Sequence, residues 1–173
     1  MEYSLGQVIG DSLALSLGYA ERLLAGLEDA QFGMLPRVGE QVIQSNHPAF
    51  IYGHLSLYAP RIIRDLGGDP IKVPDGFDEL FSKDAQCEDD PQQTIYPQRE
   101  IIVDAFFRGY RQVLEEIRRV PDAVLNEPNP TPGRLSELFP TQGSMIAFYV
   151  GGHCMIHFGQ LSAWRRVMGM GAA

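Results

Sequence analysis

Apolar positions near the start of the chain recur at the three- and four-residue spacing of one helix face. Leu5, Val8, Ile9, Leu13, Leu17, Ala20, Leu24 and Leu27 form the stripe, and Glu2, Asp11, Glu21 and Glu28 interrupt it. This predicts a first helix from about Tyr3 to Leu27, ended by a loop with Gly33, Pro36 and Gly39. A second begins in "SNHPAFIYGHLSLYAPRIIRDLGG", where Ser45 or Asn46 can serve as N-cap and Pro48 fits the first turn. Pro60 predicts a kink near Tyr58, and Gly67-Gly68 a stop.

From Asp69 to Pro97 the chain is rich in Pro, Asp and Gln, with one short helix expected in "DGFDELFSK". A connection this long is usually functional or disordered. The third helix follows "TIYPQRE" and runs to about Val120, with Ile102, Phe106, Tyr110, Val113 and Ile117 inward. After the breaker-rich "PDAVLNEPNPTPGRL", a fourth starts near Thr141 and reaches about Val167, its last turn carrying Arg165-Arg166 before Gly169. No strand-like alternation, hairpin dipeptide or internal repeat is evident. The expected fold is all-α: one domain over residues 1–173, a four-helix bundle with a crossover connection and a long loop between helices 2 and 3.

Composition narrows the partners. The chain has 173 residues, 45% hydrophobic, with 22 Asp and Glu against 14 Lys and Arg, a net charge of -8. That balance argues against nucleic acid, which needs a basic face. No apolar run approaches the roughly 20 residues that cross a bilayer, so no membrane association is expected. The N-terminus lacks a basic start and a small-residue cleavage site, which reads as a cytoplasmic protein. Two isolated cysteines, Cys87 and Cys154, fit a reducing compartment better than a disulfide framework.

The candidate chemistry lies in "GGHCMIHFGQLSAWRR". His153 and His157 are four residues apart, on one helix face, with Cβ atoms roughly 5–6 Å from each other. Two imidazoles so placed can converge on one ion, and His54 in the second helix can supply a third ligand. The alternative is a pair of core histidines. Gly53, Gly151, Gly152 and Gly159 flank the three, which suggests close approach of helix backbones or simple packing notches. A zinc-protease motif needs Glu after the first histidine, where this chain has Cys154.

His47 lies two turns before His54, about 10–11 Å along the axis, too far to share an ion easily, so a role at the helix N-terminus is expected of it. Cys154 reads as a buried structural thiol and Cys87 as an incidental exposed one. Asp104, bracketed by Val103 and Ala105, is a possible partner or base, or else a solvated helix residue. Whether His47, Cys154 or Asp104 contributes to the site stays open at this point. Phe77, Phe81 and Tyr96 of the long loop can wall a substrate pocket or anchor the loop. Arg61, Arg64 or Arg165 can meet an anionic substrate group.

"NHPAFIYGHLSLY" followed far downstream by "HCMIHFGQLSAWRRVMG" resembles the DinB/YfiT-like superfamily. Its members are four-helix bundles with a histidine on the second helix and H-x-x-x-H on the last, often followed by G-Q-[LI]. His54 matches the former, His153 and His157 the pair, Gly159-Gln160-Leu161 the trailing motif, and Trp164-Arg165-Arg166 a common continuation. The resemblance implies a divalent metal, zinc or nickel, on three neutral imidazoles, and a homodimer. It also implies a small-molecule substrate. Characterised relatives include S-transferases using bacillithiol or glutathione and a mycothiol-dependent isomerase; a related hydrolase is a variant of this expectation. A non-catalytic metal-binding bundle protein with a structural or stress-related role is the alternative.

Overall fold

A computed structural model describes residues 3–173; Glu2, named among the acidic residues that interrupt the first apolar stripe, lies outside them. Helix α1 spans Leu5–Leu24 and opens on a capping box in which Ser4 Oγ accepts the Gln7 amide and Gln7 Oε1 accepts the Ser4 amide. It stops three residues short of Leu27, which is nevertheless buried. The reason is at its C-terminus: Gly26 is left-handed at φ 70°. Arg165 Nη1 donates to the carbonyls of Leu23 and Ala25 at 2.8 and 2.9 Å. Arg99 Nη1 reaches Leu27 O at 2.6 Å. Two arginines distant in sequence thus take carbonyls that a longer helix would have used itself.

A short helix α2 (Asp29–Phe32) precedes a two-stranded antiparallel hairpin, β1 (Arg37–Val38) and β2 (Gln41–Val42). The sequence predicts no strand. Two residues per strand are too few to show alternation, and Gly39 at φ 61° supplies the turn. The second predicted helix is broken where Pro60 requires. Helix α3 covers Pro48–Ser56 and α4 Ala59–Asp65, because Pro60 has no N–H to offer the Ser56 carbonyl.

The long connection is anchored by its aromatic residues. Helix α5 (Phe77–Phe81) buries both end residues, and the Phe81 ring stacks on Tyr96 with centroids 5.5 Å apart. Asp90 then organises the exit, its carboxylate accepting the amides of Thr94, Ile95 and Tyr96 at 2.8–3.0 Å. Those bonds hold its carboxyl below the usual range against the opposing effect of burial.

Helix α6 (Arg99–Ile117) buries its predicted stripe in full. Two glycines set its approach to its neighbours. A Cβ at Gly6 would collide with the Ile117 carbonyl, and one at Gly109 would lie 2.8 Å from Ala59 Cβ. Short helices α7 (Asp122–Leu125) and α8 (Arg134–Leu138) occupy the breaker-rich connector. The last long element is composite: α9 (Gln142–Ala147), a π-helical turn over Phe148–His153, and α10 (Cys154–Val167). Helix α6 packs on α1, α3 and α4; α10 packs on α1 and α3; the π turn also lies on α1. The core they share centres on Tyr52, Phe106 and Phe158, whose ring centroids are 5.1–6.3 Å apart. The described residues are therefore mostly helical, with one minimal sheet, and no helix among them is long and apolar enough to cross a membrane.

Candidate metal centre

His54, His153 and His157 come together. One ring nitrogen from each lies within 4.8 Å of the others. Their ring centroids are 4.7 Å (His153–His157), 4.9 Å (His54–His157) and 5.6 Å (His54–His153) apart. The Nε2 atoms of His153 and His157 are 3.2 Å apart. Two nitrogens each at about 2.0–2.1 Å from one ion sit roughly 2.9–3.4 Å apart for octahedral to tetrahedral angles, so this pair already has a ligand spacing.

The outer nitrogens set the tautomers of two of the three rings. His54 Nδ1 donates to the Phe81 carbonyl at 2.8 Å, leaving its Nε2 lone pair for the cluster. His157 Nδ1 donates to Gln160 Oε1 at 3.2 Å, and the Asn46 amide donates to the same oxygen at 3.1 Å. His153 has no such support, its Nδ1 being buried without a hydrogen-bond partner.

Each histidine is held neutral. Burial, then the neighbouring His157 and His54, pushes His153 down to about 3. Burial, then His54, pushes His157 down to about 4 against the Gln160 bond. Burial also lowers His54, against its bond to Phe81. Three neutral imidazoles that converge, two of them with a fixed outer N–H, are a donor set that zinc, nickel and related ions accept. With the His153 and His157 Nε2 atoms at a ligand spacing and a nitrogen of each of the three rings within 4.8 Å of the others, the residues present fit a divalent ion.

The π turn aligns the last helix for this. It widens the helix just before His153, and the Cys154 thiol donates back five residues to the Tyr149 carbonyl at 3.3 Å. Such turns are rare and concentrate at functional sites. The buried positions Ile146, Val150, Cys154 and Phe158 keep a four-residue step through it, so the turn leaves no trace in the sequence pattern.

A cavity of about 410 Å³ opens over the imidazoles. It is lined by Asn46, Phe50 and Tyr58 and by Ser82, Lys83 and Ala85, just past α5. Phe50 lies parallel to His54, and the Tyr58 ring is 4.5 Å from His153 and 5.2 Å from His54. The Gly53 notch fixes this wall. A Cβ there would come within 2.5 Å of the Phe81 ring, so glycine lets Phe81 seat against α3 with its carbonyl on His54.

Several expected residues do other work. His47 is the N-cap of α3 in place of Ser45 or Asn46, its Nδ1 accepting the Phe50 amide at 3.2 Å and its Nε2 donating to the Glu88 carbonyl at 2.9 Å. Asn46 is occupied by Gln160. Asp104 pairs with Arg108 at 2.8 Å on an exposed face. Cys154 is a buried thiol, as expected, while Cys87 is half-buried rather than exposed; burial pushes each up to about 12. Phe77, Phe81 and Tyr96 are anchors and do not line the cavity.

Arg61 lies over the Tyr149 ring and donates to Thr131, Arg64 lines a different cavity, and Arg165 caps α1. The flanking glycines do not mark backbone contact. Gly151 meets the Ser12 hydroxyl, Gly152 the Phe148 ring, and Gly159 open space. Tyr58 was detectable in principle, one turn past His54, whereas the wall Ser82–Ala85 and the Phe81 carbonyl carry no side-chain signal. The chain matches no protein-family model, and no curated protein or solved structure is significantly similar to it.

Proposed function

We propose that the protein is a metal-dependent enzyme in which His54, His153 and His157 hold one divalent cation, zinc or nickel. It acts on a small molecule through a thiol, in the manner of the thiol S-transferases of the DinB/YfiT-like superfamily. The observation that carries this is the convergence of three neutral imidazoles, two of them with tautomers set by Phe81 and Gln160. In this reading α1, α3–α4, α6 and α9–α10 are the four rods of a DinB-like bundle, and their mutual packing supports it. A cytoplasmic homodimer belongs to the same proposal, on the resemblance alone.

Three neutral ligands leave a bound ion's charge uncompensated, which supplies Lewis acidity that lowers the pKa of a thiol or water beside it. The chain's own residues hold and shield. Phe81 O and Gln160 orient the imidazoles, while Phe50 and Tyr58 cover them from one side. Among the described residues none that lines the cavity is Asp or Glu, so none of them offers a carboxylate to take a proton from water. This favours a thiol nucleophile over hydrolysis. An open cavity over the cluster also favours an exchangeable site over a purely structural one, which would be closed.

Metal analysis of the purified chain beside His54→Ala and His153→Ala tests the centre. One equivalent in the parent and a loss of at least tenfold in affinity in both variants is expected. Full metal content in both variants would exclude the site. Turnover of an electrophile with glutathione, bacillithiol or mycothiol tests the chemistry, and its absence with all three would remove thiol transfer.

A further inference from the structure

The protein is acidic overall, with 22 acidic and 14 basic residues, yet among the described residues no carboxylate lines the cavity over the histidines. Its charged side chain is Lys83, at the end of the segment that α5 and the Phe81–Gly53 seat hold in place. Behind Tyr58, the Arg61 guanidinium sits 5.7 Å from the Tyr149 ring, whose centroid is 5.1 Å from that of Tyr58. Asp84, which pairs with Lys83, is itself exposed to solvent and meets the ammonium only at 4.0 Å. A concave surface lined by a lysine and, among the described residues, by no carboxylate favours anions, even on a protein of opposite net charge. The rings of Phe50 and Tyr58 in the same lining supply apolar faces.

We infer that the cavity is a binding site for a small organic anion: a donor atom at the three imidazoles, an apolar body against Phe50 and Tyr58, and a carboxylate or similar group at Lys83. Lys83 is then a specificity-determining residue, and the inference rests on the three-histidine centre.

The full chain loaded with cobalt(II) allows a test by visible absorption. It is titrated with 4-mercaptobutyrate and with 4-mercaptobutanol, which share a thiol and a chain and differ in the terminal charge. The parent should bind the carboxylate more tightly. Lys83→Gln should weaken 4-mercaptobutyrate about two- to fivefold, leaving 4-mercaptobutanol and cobalt stoichiometry unchanged, as suits one partly exposed ion pair. Lys83→Glu should weaken it further. The Lys83 side chain is 81% exposed, so neither change should disturb folding. Equal effects on both thiols, no effect on either, or binding of neither thiol to the cobalt-loaded parent would overturn the anion site while leaving the metal centre standing. Failure of the parent to take up cobalt would instead remove the metal centre, and this inference with it.

Discussion

At Gly53 one missing methyl group serves both packing and chemistry. The Phe81 ring occupies the space a Cβ would need, and the Phe81 carbonyl receives the His54 Nδ1–H. Gly53→Ala should therefore act as an overpacking substitution, costing about 1–3 kcal/mol in chemical denaturation. The same displacement takes the acceptor away from His54, so metal affinity should fall by about tenfold or more in a titration of the folded variant. Arg165 is the opposite case, a residue from a suspected functional motif that holds the fold. It is 5% exposed and takes the carbonyls of Leu23 and Ala25. Arg165→Met should cost roughly 2–4 kcal/mol, because two carbonyls lose a charged donor. It should leave metal stoichiometry intact, as measured by denaturation and metal analysis of the same sample.

Helix α3 shows how far an element could be read from its sequence. Its start, its break at Pro60 and the position of His54 follow from local rules of proline and spacing. The N-cap did not, because Asn46, the usual residue type for it, is drawn off by Gln160 from α10, a tertiary partner. His47 caps instead through a neutral ring, and burial lowers it from 6.5 to about 4. Between those values the unfolded chain takes up a proton that the folded chain refuses, so stability present above pH 6.5 is lost as pH falls toward 4. With metal chelated, stability should fall from pH 7 to 5.5 by about 1 kcal/mol more in the parent than in His47→Asn, which keeps a cap without a titrating ring. Equal slopes in urea denaturation would count against a neutral His47 cap. The π turn and the Ser82–Ala85 wall were illegible for a different reason. One lies against α1, distant in sequence, and the other follows the seating of Phe81 on Gly53, so neither is written in local propensity.

Over the whole molecule, the three histidines join segments about 100 residues apart in sequence, one on α3 and two on the last helix. A cation bound only by the folded chain must stabilise it, by about 2.7 kcal/mol at 100-fold excess over Kd. For a chain of this size that raises Tm by roughly 5–11 °C, and chelation should reverse it. No rise at saturating metal would mean that the ion binds the unfolded chain equally well or elsewhere. The ligands themselves are read most directly by X-ray absorption at the zinc edge of the zinc-loaded protein. Three imidazole nitrogens at about 2.0–2.1 Å, falling to two in His54→Ala, are the predicted result. Sulfur scattering at about 2.3 Å, from Cys87 or Cys154, or a spectrum unchanged in His54→Ala, would contradict it.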